Sequence, residues 1–451
     1  MRVKRSRDVR SMDVTADGEG IVGHAGAKLV SGVAEVLGLG DAWSDALAPT
    51  VRRRRAIDPG WVLVDLAVTL ADGGDSLADL RTLRDQPDLF GRVASGPTAW
   101  RVIDSVDDAV LAALRAGRAK ARAAAWAAGA APDRITLDFD ATLVTAHSEK
   151  QDAAATYKMG YGFHPLGCWL DETNEALAAI LRPGNAGANT AADHVEVLEL
   201  ALAQLPVSPI GLDADHGVEM LARADSAGAT HGFIDALRDR GIEFSVGFDV
   251  TEDVRLAIVS LPASAWGEAI RQDCEVREGA QVAELTDHLD LSTWPPGTRA
   301  IVRREEPHPG AQFNLFDPGG WRHQVFICDS VDPDIAYLEA RHRGHARVED
   351  RIRCGKDTGL RNFPFHDFAA NQAWLEVVLG ACDLLAWTQA LTVEGELARA
   401  EPKRLRYCLL HTPGRLAHHA RRTVLRLARN WRWAEELRRA FARLRRIPRL
   451  A

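Results

Sequence analysis

No cysteine pair organises this chain. Its six cysteines, Cys168, Cys274, Cys328, Cys354, Cys382 and Cys408, are scattered with no CxxC spacing, so the sequence signals neither a cysteine-based zinc site nor a disulfide framework. They read as reduced, buried thiols. An excess of positive charge is also missing: 55 basic against 63 acidic residues give a net charge of −8. A protein coated in positive charge is thereby excluded, and any nucleic-acid surface must be local. No apolar run approaches the roughly 18 residues that span a bilayer, and the Arg-rich start MRVKRSRDVR leads into DVTADGEG rather than an apolar signal core. A soluble cytoplasmic protein with no membrane partner is expected. At 451 residues the chain exceeds what one hydrophobic core usually supports, which points to two or three domains.

What is present begins with helical spacing. Residues 1–131 read as a helical region with positive charge in bursts. Arg52 to Arg55 form a four-arginine run; WVLVDLAVTLADGG has helical apolar spacing closed by Gly73 and Gly74; short helices follow over Ser76 to Arg84 and from near Pro97, with Ser95 as a cap. Three short helices with tight turns have the outline of a helix-turn-helix, and the arginine run supports DNA contact. The Ala-rich stretch Leu111 to Ala131 is a strong helix by propensity, with Arg115, Arg118 and Arg122 on one face. That face is either solvated or tracks phosphates.

From Arg134 strands alternate with helices. RITLDFDATLV reads as a strand, GFHPLGCWLD and EALAAILR as a hairpin turning at Asp171 to Asn174, Ala191 to Leu205 as a helix, EMLARAD as a strand, THGFIDALRDRG as a helix and IEFSVGF as a strand. This α/β order is that of a ribonuclease H-like core, in which the first and fourth strands lie side by side. Residues 132–248 form its first part. Residues 249–332 break the alternation and read as an inserted, partly β subdomain, residues 333–398 complete the core, and residues 399–451 form a basic helical tail.

Three acids stand out. Asp140 in LDFDATLVTAHSEK and Asp225 in LARADSAG each end a strand-like run, whereas Glu349 in HRGHARVEDRIRCGK sits on a charged helix. Hard divalent cations take oxygen ligands yet keep several waters, so three carboxylates suffice for two ions. Asp138 shares the strand face of Asp140 and is either a further ligand or an acid that supports the ligands from behind, while Asp213 and Asp215 rival Asp225. A single Asp at a strand end also serves as a turn or helix cap. Trp266, Trp294 and Trp321 could stack on bases or simply pack. In the tail, arginines including Arg421, Arg422, Arg426, Arg429, Arg438, Arg439, Arg443, Arg445 and Arg446 surround Trp431 and Trp433. Such a segment suits phosphate-backbone binding, although docking on an acidic face remains open.

The motifs ADGGDSLADLRTLRDQPDLFG, GPTAWRV, LDFDATLVTAHSEK, RADSAGATHGF and EDRIRCGKDTGLRNFPFHDFAANQ, in this order, resemble those of DDE transposases of the IS4-like superfamily, closest to the IS1380 group of bacterial insertion sequences. The resemblance implies that Asp140, Asp225 and Glu349 are the catalytic acids and bind two Mg²⁺ ions, with Mn²⁺ able to substitute. It further implies cleavage at the element's terminal inverted repeats, strand transfer into target DNA, a homodimer on paired ends, and location on the nucleoid when DNA is bound. Relatives carry Tyr-x2-Arg-x3-Glu-x6-Lys on the third helix. Here His342, His345, Glu349 and Lys356 hold that spacing, so Arg343 or Arg347 would take over the phosphate contact beside His345 and Lys356. Glu349 and Lys356 stand about 10 Å apart along a helix rising 1.5 Å per residue. The other readings are a nuclease of the same fold without strand transfer, and a catalytically inactive DNA-binding relic or regulator.

Overall fold

The computed structural model of the chain describes residues 12–51, 57–147, 149–187, 190–213, 216–307, 320–419 and 422–449. The arginine run Arg52 to Arg55, Asp215 and Arg421 lie outside the described residues.

A nine-stranded mixed sheet forms the centre. Its strands in chain order are β1 (Ile135–Ala141), β2 (Leu166–Leu170), β3 (Ala176–Ile180), β4 (Met220–Ala224), β5 (Glu243–Phe248), β6 (Gly267–Ile270), β7 (Val276–Glu284), β8 (Arg299–Glu305) and β9 (Arg322–Cys328). Across the sheet the order is β6-β7-β8-β9-β5-β4-β1-β2-β3. β1 runs antiparallel to β2 and parallel to β4, which is parallel to β5. The first and fourth of these strands are therefore neighbours, as the strand order predicts. β2, β3 and β4 are buried along their whole length, which fits their near-continuous apolar sequences, since strands covered on both faces need not alternate.

The stretch from residue 249 to 332 is less separate than its irregular sequence suggests. β9 pairs antiparallel with β5 over Val325↔Phe248 to Cys328↔Ser245, so the four inserted strands continue the central sheet instead of forming a second one. Of the tryptophans there, Trp294 packs on His231 and Phe248, while Trp266 and Trp321 both lie against the guanidinium of Arg304.

Helices α1 (Ala27–Val36), α2 (Pro59–Ala71) and α3 (Asp108–Ala125) precede the sheet; α4 (Ala191–Leu202) and α5 (His231–Asp239) lie between its strands; α6 (Ile335–Arg343), α7 (Arg347–Gly355) and α8 (Phe368–Thr392) follow it, and α9 (Ala434–Leu444) lies near the C-terminus. Asp58 accepts from the amides of Gly60 and Trp61 and Pro59 fills the first turn, which starts α2. α2 is apolar nearly all round and mostly buried, the mark of a core helix, not of an exposed recognition helix. One continuous core joins the front helices, the sheet and α8 to Leu437, Ala440 and Leu444 of α9. Among the described residues α8 alone is long and apolar enough to cross a membrane, yet most of it is buried inside the protein.

Arg118 and Arg122 of α3 are neither solvated nor free to track phosphates. Both are fully buried. Arg118 donates to Glu376 (2.6 Å) and Asp383 (2.7 Å) of α8 and to the carbonyls of Ala176 and Leu177, and Arg122 donates to Glu175 (2.9 Å), Asp383 (2.5 Å) and Gln204 (2.6 Å). Trp126 and Trp387 complete the set by donating to Glu175.

The tail also departs from its helical expectation. Gly414–His419 and Arg422–Leu427 form an antiparallel hairpin joined by the short strand Ile21–Val22, and among the described residues beyond it only α9 is helical. Leu425 and Leu427 pack with Leu416 and, from the other end of the chain, with Val22 and Ala25, so the two-residue spacing of apolar side chains decides for strand here over Arg-rich helical propensity.

Candidate active site

Asp140 lies in the last turn of register of β1, and Asp225 directly follows β4. Because Phe139 pairs with Ala224 across the parallel ladder, the two acids leave the same end of adjacent strands. Glu349 reaches them from α7, which packs against β1. Asp140 feels the other two: it is pushed up to about 6, chiefly by burial, with the negative charges of Asp225 and Glu349 adding to the rise and His345 and the Ala141 amide opposing it. Asp225 and Glu349 are exposed. One oxygen of Asp225 caps the following turn by accepting from Ala227 at 3.0 Å, which leaves its second oxygen free for a ligand. Asp140 accepts from the Ala141 amide at 2.7 Å.

The ligand atoms of the three acids do not crowd into one small sphere; among the described residues the group of His, Cys, Asp and Glu donors that all lie within 4.8 Å of one another is His24, Asp72 and His411. A pair of ions does not require such crowding. With ions about 3.5–4 Å apart and bonds of about 2 Å, acids on the outer sides can stand up to about 8 Å apart while the middle one touches both. The donor set fits hard cations: oxygen only, solvent-accessible, and with three carboxylates gathered against the one imidazole of His345.

Beneath the acids lies a second network. Asp138 is buried and accepts from Arg223 at 2.8 and 2.7 Å and pairs with His345 at 3.0 Å. Its carboxylate is thus committed to Arg223 and His345, which favours the supporting role of the two expected for it over that of an ion ligand. Arg223 also reaches Asp171 (2.8 Å), which accepts from Arg347 (2.7 Å through Nε). Burial raises the proton affinity of Asp171, but Arg347 and Arg223 outweigh it and hold the carboxyl below its ordinary range. Arg223 and Asp171 were not singled out by the motif reading. The signal was available, because an arginine inside the buried strand MLARA must find a carboxylate partner.

The expected phosphate contacts divide. Lys356 donates to the carbonyl of Leu143 at 3.1 Å and lies within electrostatic reach of Asp140; burial and Lys158 lower its proton affinity while Asp140 raises it. Arg347 is committed to Asp171, and Arg343 to Glu339 and the carbonyl of Ile270. Neither guanidinium is free to replace the missing arginine of the third motif. His342 stacks flat on Phe326 (4.3 Å, 5°) and pairs with Ser245; burial, then the charges of His345 and Arg223, push it down to about 3, so it is neutral at working pH. The helix that carries these residues is interrupted by a tighter turn at Gly344–Ala346, which lets His342 face the sheet and His345 the acids. Asp213 precedes β4 and pairs with the His216 amide. It sits a strand's length from Asp225, at the wrong end of β4 to join Asp140. Arg422 opens the second strand of the tail hairpin and is exposed.

A family model described as Transposase DDE domain group 1 matches residues 4–449. The chain belongs to this transposase family. No protein of curated function matches it. Among solved structures the piggyBac transposase synaptic complex with hairpin DNA is similar at 12% identity and a TM-score of 0.40, over 87% of this chain and 80% of that one.

Proposed function

We propose that the protein is a DNA transposase of the IS1380 group, built on a ribonuclease H-like core, which cuts DNA at the ends of its insertion sequence and joins them to target DNA. The observation that carries this reading is the convergence of Asp140, Asp225 and Glu349 from two adjacent parallel strands and one helix, where the charges of Asp225 and Glu349 add to the rise that burial causes in the proton affinity of Asp140. Asp140, Asp225 and Glu349 would hold the ions. When bound, the two Mg²⁺ ions supply Lewis-acid stabilisation of the attacking and leaving oxygens of an in-line displacement. The side chains do the rest: Lys356 offers a point charge to the phosphate next to the cut, Asp138 and Arg223 fix His345, and the exposed arginines around the tail hairpin hold the duplex through its backbone. Two copies on paired ends would carry out the concerted reaction.

Incubation with Mg²⁺ and DNA bearing the flanking inverted repeats tests the proposal, with Asp225→Asn as control because asparagine retains the cap. End cleavage plus joining supports it. Cleavage without joining supports a nuclease, and binding without cleavage an inactive regulator.

A further inference from the structure

Far along the chain from the acid trio, three donors of a different chemistry meet. His24 precedes α1, Asp72 ends α2, and His411 follows the helical turn Arg406–Leu410. His24 Nδ1 lies 2.5 Å from Asp72 Oδ2, His411 Nε2 lies 3.3 Å from Asp72 Oδ1, and the two imidazole rings are 4.4 Å apart. The backbone enforces this meeting. The Ala25 amide donates to Thr412 and that of Gly26 to Leu410, and a Cβ at Gly26 would fall 2.0 Å from the Leu409 carbonyl oxygen, so only glycine permits the approach.

Internal hydrogen bonding does not satisfy the group. Asp72 is 6% exposed, and its Oδ1 is a buried oxygen with no hydrogen-bond partner; the nearby His411 Nε2 is directed instead at the Asp72 carbonyl oxygen, 3.0 Å away. An orphaned buried carboxylate oxygen is costly. Solvent can still reach the cluster, because the His24 and His411 side chains are 30% and 40% exposed. Arg406 lies within electrostatic reach of Asp72 but spends its donors on the carbonyls of Ala71, Leu70 and Asp357.

We propose that His24, Asp72 and His411 form a binding site for a divalent transition metal of the Zn²⁺ class, which staples the N-terminal segment and the end of α2 to the C-terminal segment. Two imidazole nitrogens and one carboxylate suit a borderline ion and leave a fourth position for water or the Asp72 carbonyl. Tetrahedral bonds of about 2.0 Å place ligand atoms about 3.3 Å apart, so the present spacings need only small side-chain rotations. Neutral imidazoles are required, so binding releases any proton held there and weakens in acid.

The site is chemically distinct from the oxygen-only trio, and the test separates the two. Tag-free full-length protein, stripped with chelator, is dialysed against Zn²⁺; bound metal and the melting temperature are measured, and Co²⁺ loading is read by visible absorption. Expected are one equivalent of Zn²⁺ held by the wild type and equally by Asp225→Asn, a rise in melting temperature on Zn²⁺ addition, and a tetrahedral Co²⁺ spectrum. His24→Gln and His411→Gln, both at partly exposed positions, should weaken that equivalent by at least about 100-fold and abolish the Zn²⁺-dependent thermal shift while still melting cooperatively. Retention of the Zn²⁺ equivalent by both glutamine variants, or its loss in Asp225→Asn alone, overturns the assignment. So does a wild type that binds no Zn²⁺, which would leave the cluster a histidine–carboxylate ion pair.

Discussion

Two groups of three carboxylates sit against the same sheet and differ in what faces them. Glu175, Glu376 and Asp383 meet Arg118 and Arg122, which answer them with charge-assisted hydrogen bonds from both sides. Among the described residues no arginine is bonded to Asp140, Asp225 or Glu349. Burial pushes Asp383 of the first group and Asp140 of the second up alike, with a like-charged acid among the causes of each, but two arginines oppose the rise at Asp383 whereas only His345 and the Ala141 amide oppose it at Asp140. A buried charge normally acquires a partner in the chain. Where the chain supplies only His345 and gathers acids from three separate segments, a cation from solution is the partner that the proposed function calls for.

The largest effect should follow from breaking the compensated group. Asp383→Ala would leave Arg118 and Arg122 facing an apolar helix with one acid fewer, at a cost of about 3–5 kcal/mol in stability, measurable by urea denaturation. A loss below about 1 kcal/mol would mean that the two arginines find other partners, and the contrast between the groups would fail. In the second group the signs reverse. Asp225→Asn should leave stability within about 0.5 kcal/mol but remove several kcal/mol of transition-state stabilisation, at least about 10³-fold in end cleavage. Cleavage at the wild-type rate would remove Asp225 from the site.

The layer between the two groups sharpens the comparison at a smaller scale. His345 is held by Asp138 at 3.0 Å and stands beside Asp140 without belonging to the acid trio. His345→Ala should slow cleavage by about 10–100-fold, as loss of an outer partner does. His345→Gln, which can still donate to Asp138, should recover most of that loss. Equal defects in both variants would show that the imidazole itself, and not its role in positioning, is what matters.

How far the sequence led can be judged from the same residues. The central strands, their order and the acids at their ends were legible because apolar runs, turn residues and ordered motifs are local signals. The fates of the arginines were not. Arg118 and Arg122 lie on what reads as a polar helix face, and only the tertiary arrival of Glu376 and Asp383 from more than 250 positions later makes that face an interior one. Arg343 and Arg347 likewise have the right spacing for a phosphate contact but are claimed by Glu339 and Asp171. The tail hairpin was hidden by composition, since arginine favours helices while the strand pairing depends on Ile21 and Val22 at the other end of the chain.

The last test uses protons as the competing cation and is the smallest in size. Asp140 has a folded-state value of about 6 against an ordinary 3.8, so between these values the folded chain holds a proton that the unfolded chain has lost. Its contribution to stability is therefore fully present below pH 3.8 and is lost as pH rises through 6. Without divalent cations, Asp140→Asn should flatten this part of the pH profile by about 1–3 °C in melting temperature. With Mg²⁺ the dependence should invert, because the ion needs the deprotonated carboxylate: the Mg²⁺-induced rise in melting temperature should be larger at pH 7 than at pH 5 and absent in the variant. An Mg²⁺ shift of equal size at both pH values, or one that survives in Asp140→Asn, would place the ion elsewhere and remove the difference between the two carboxylate groups.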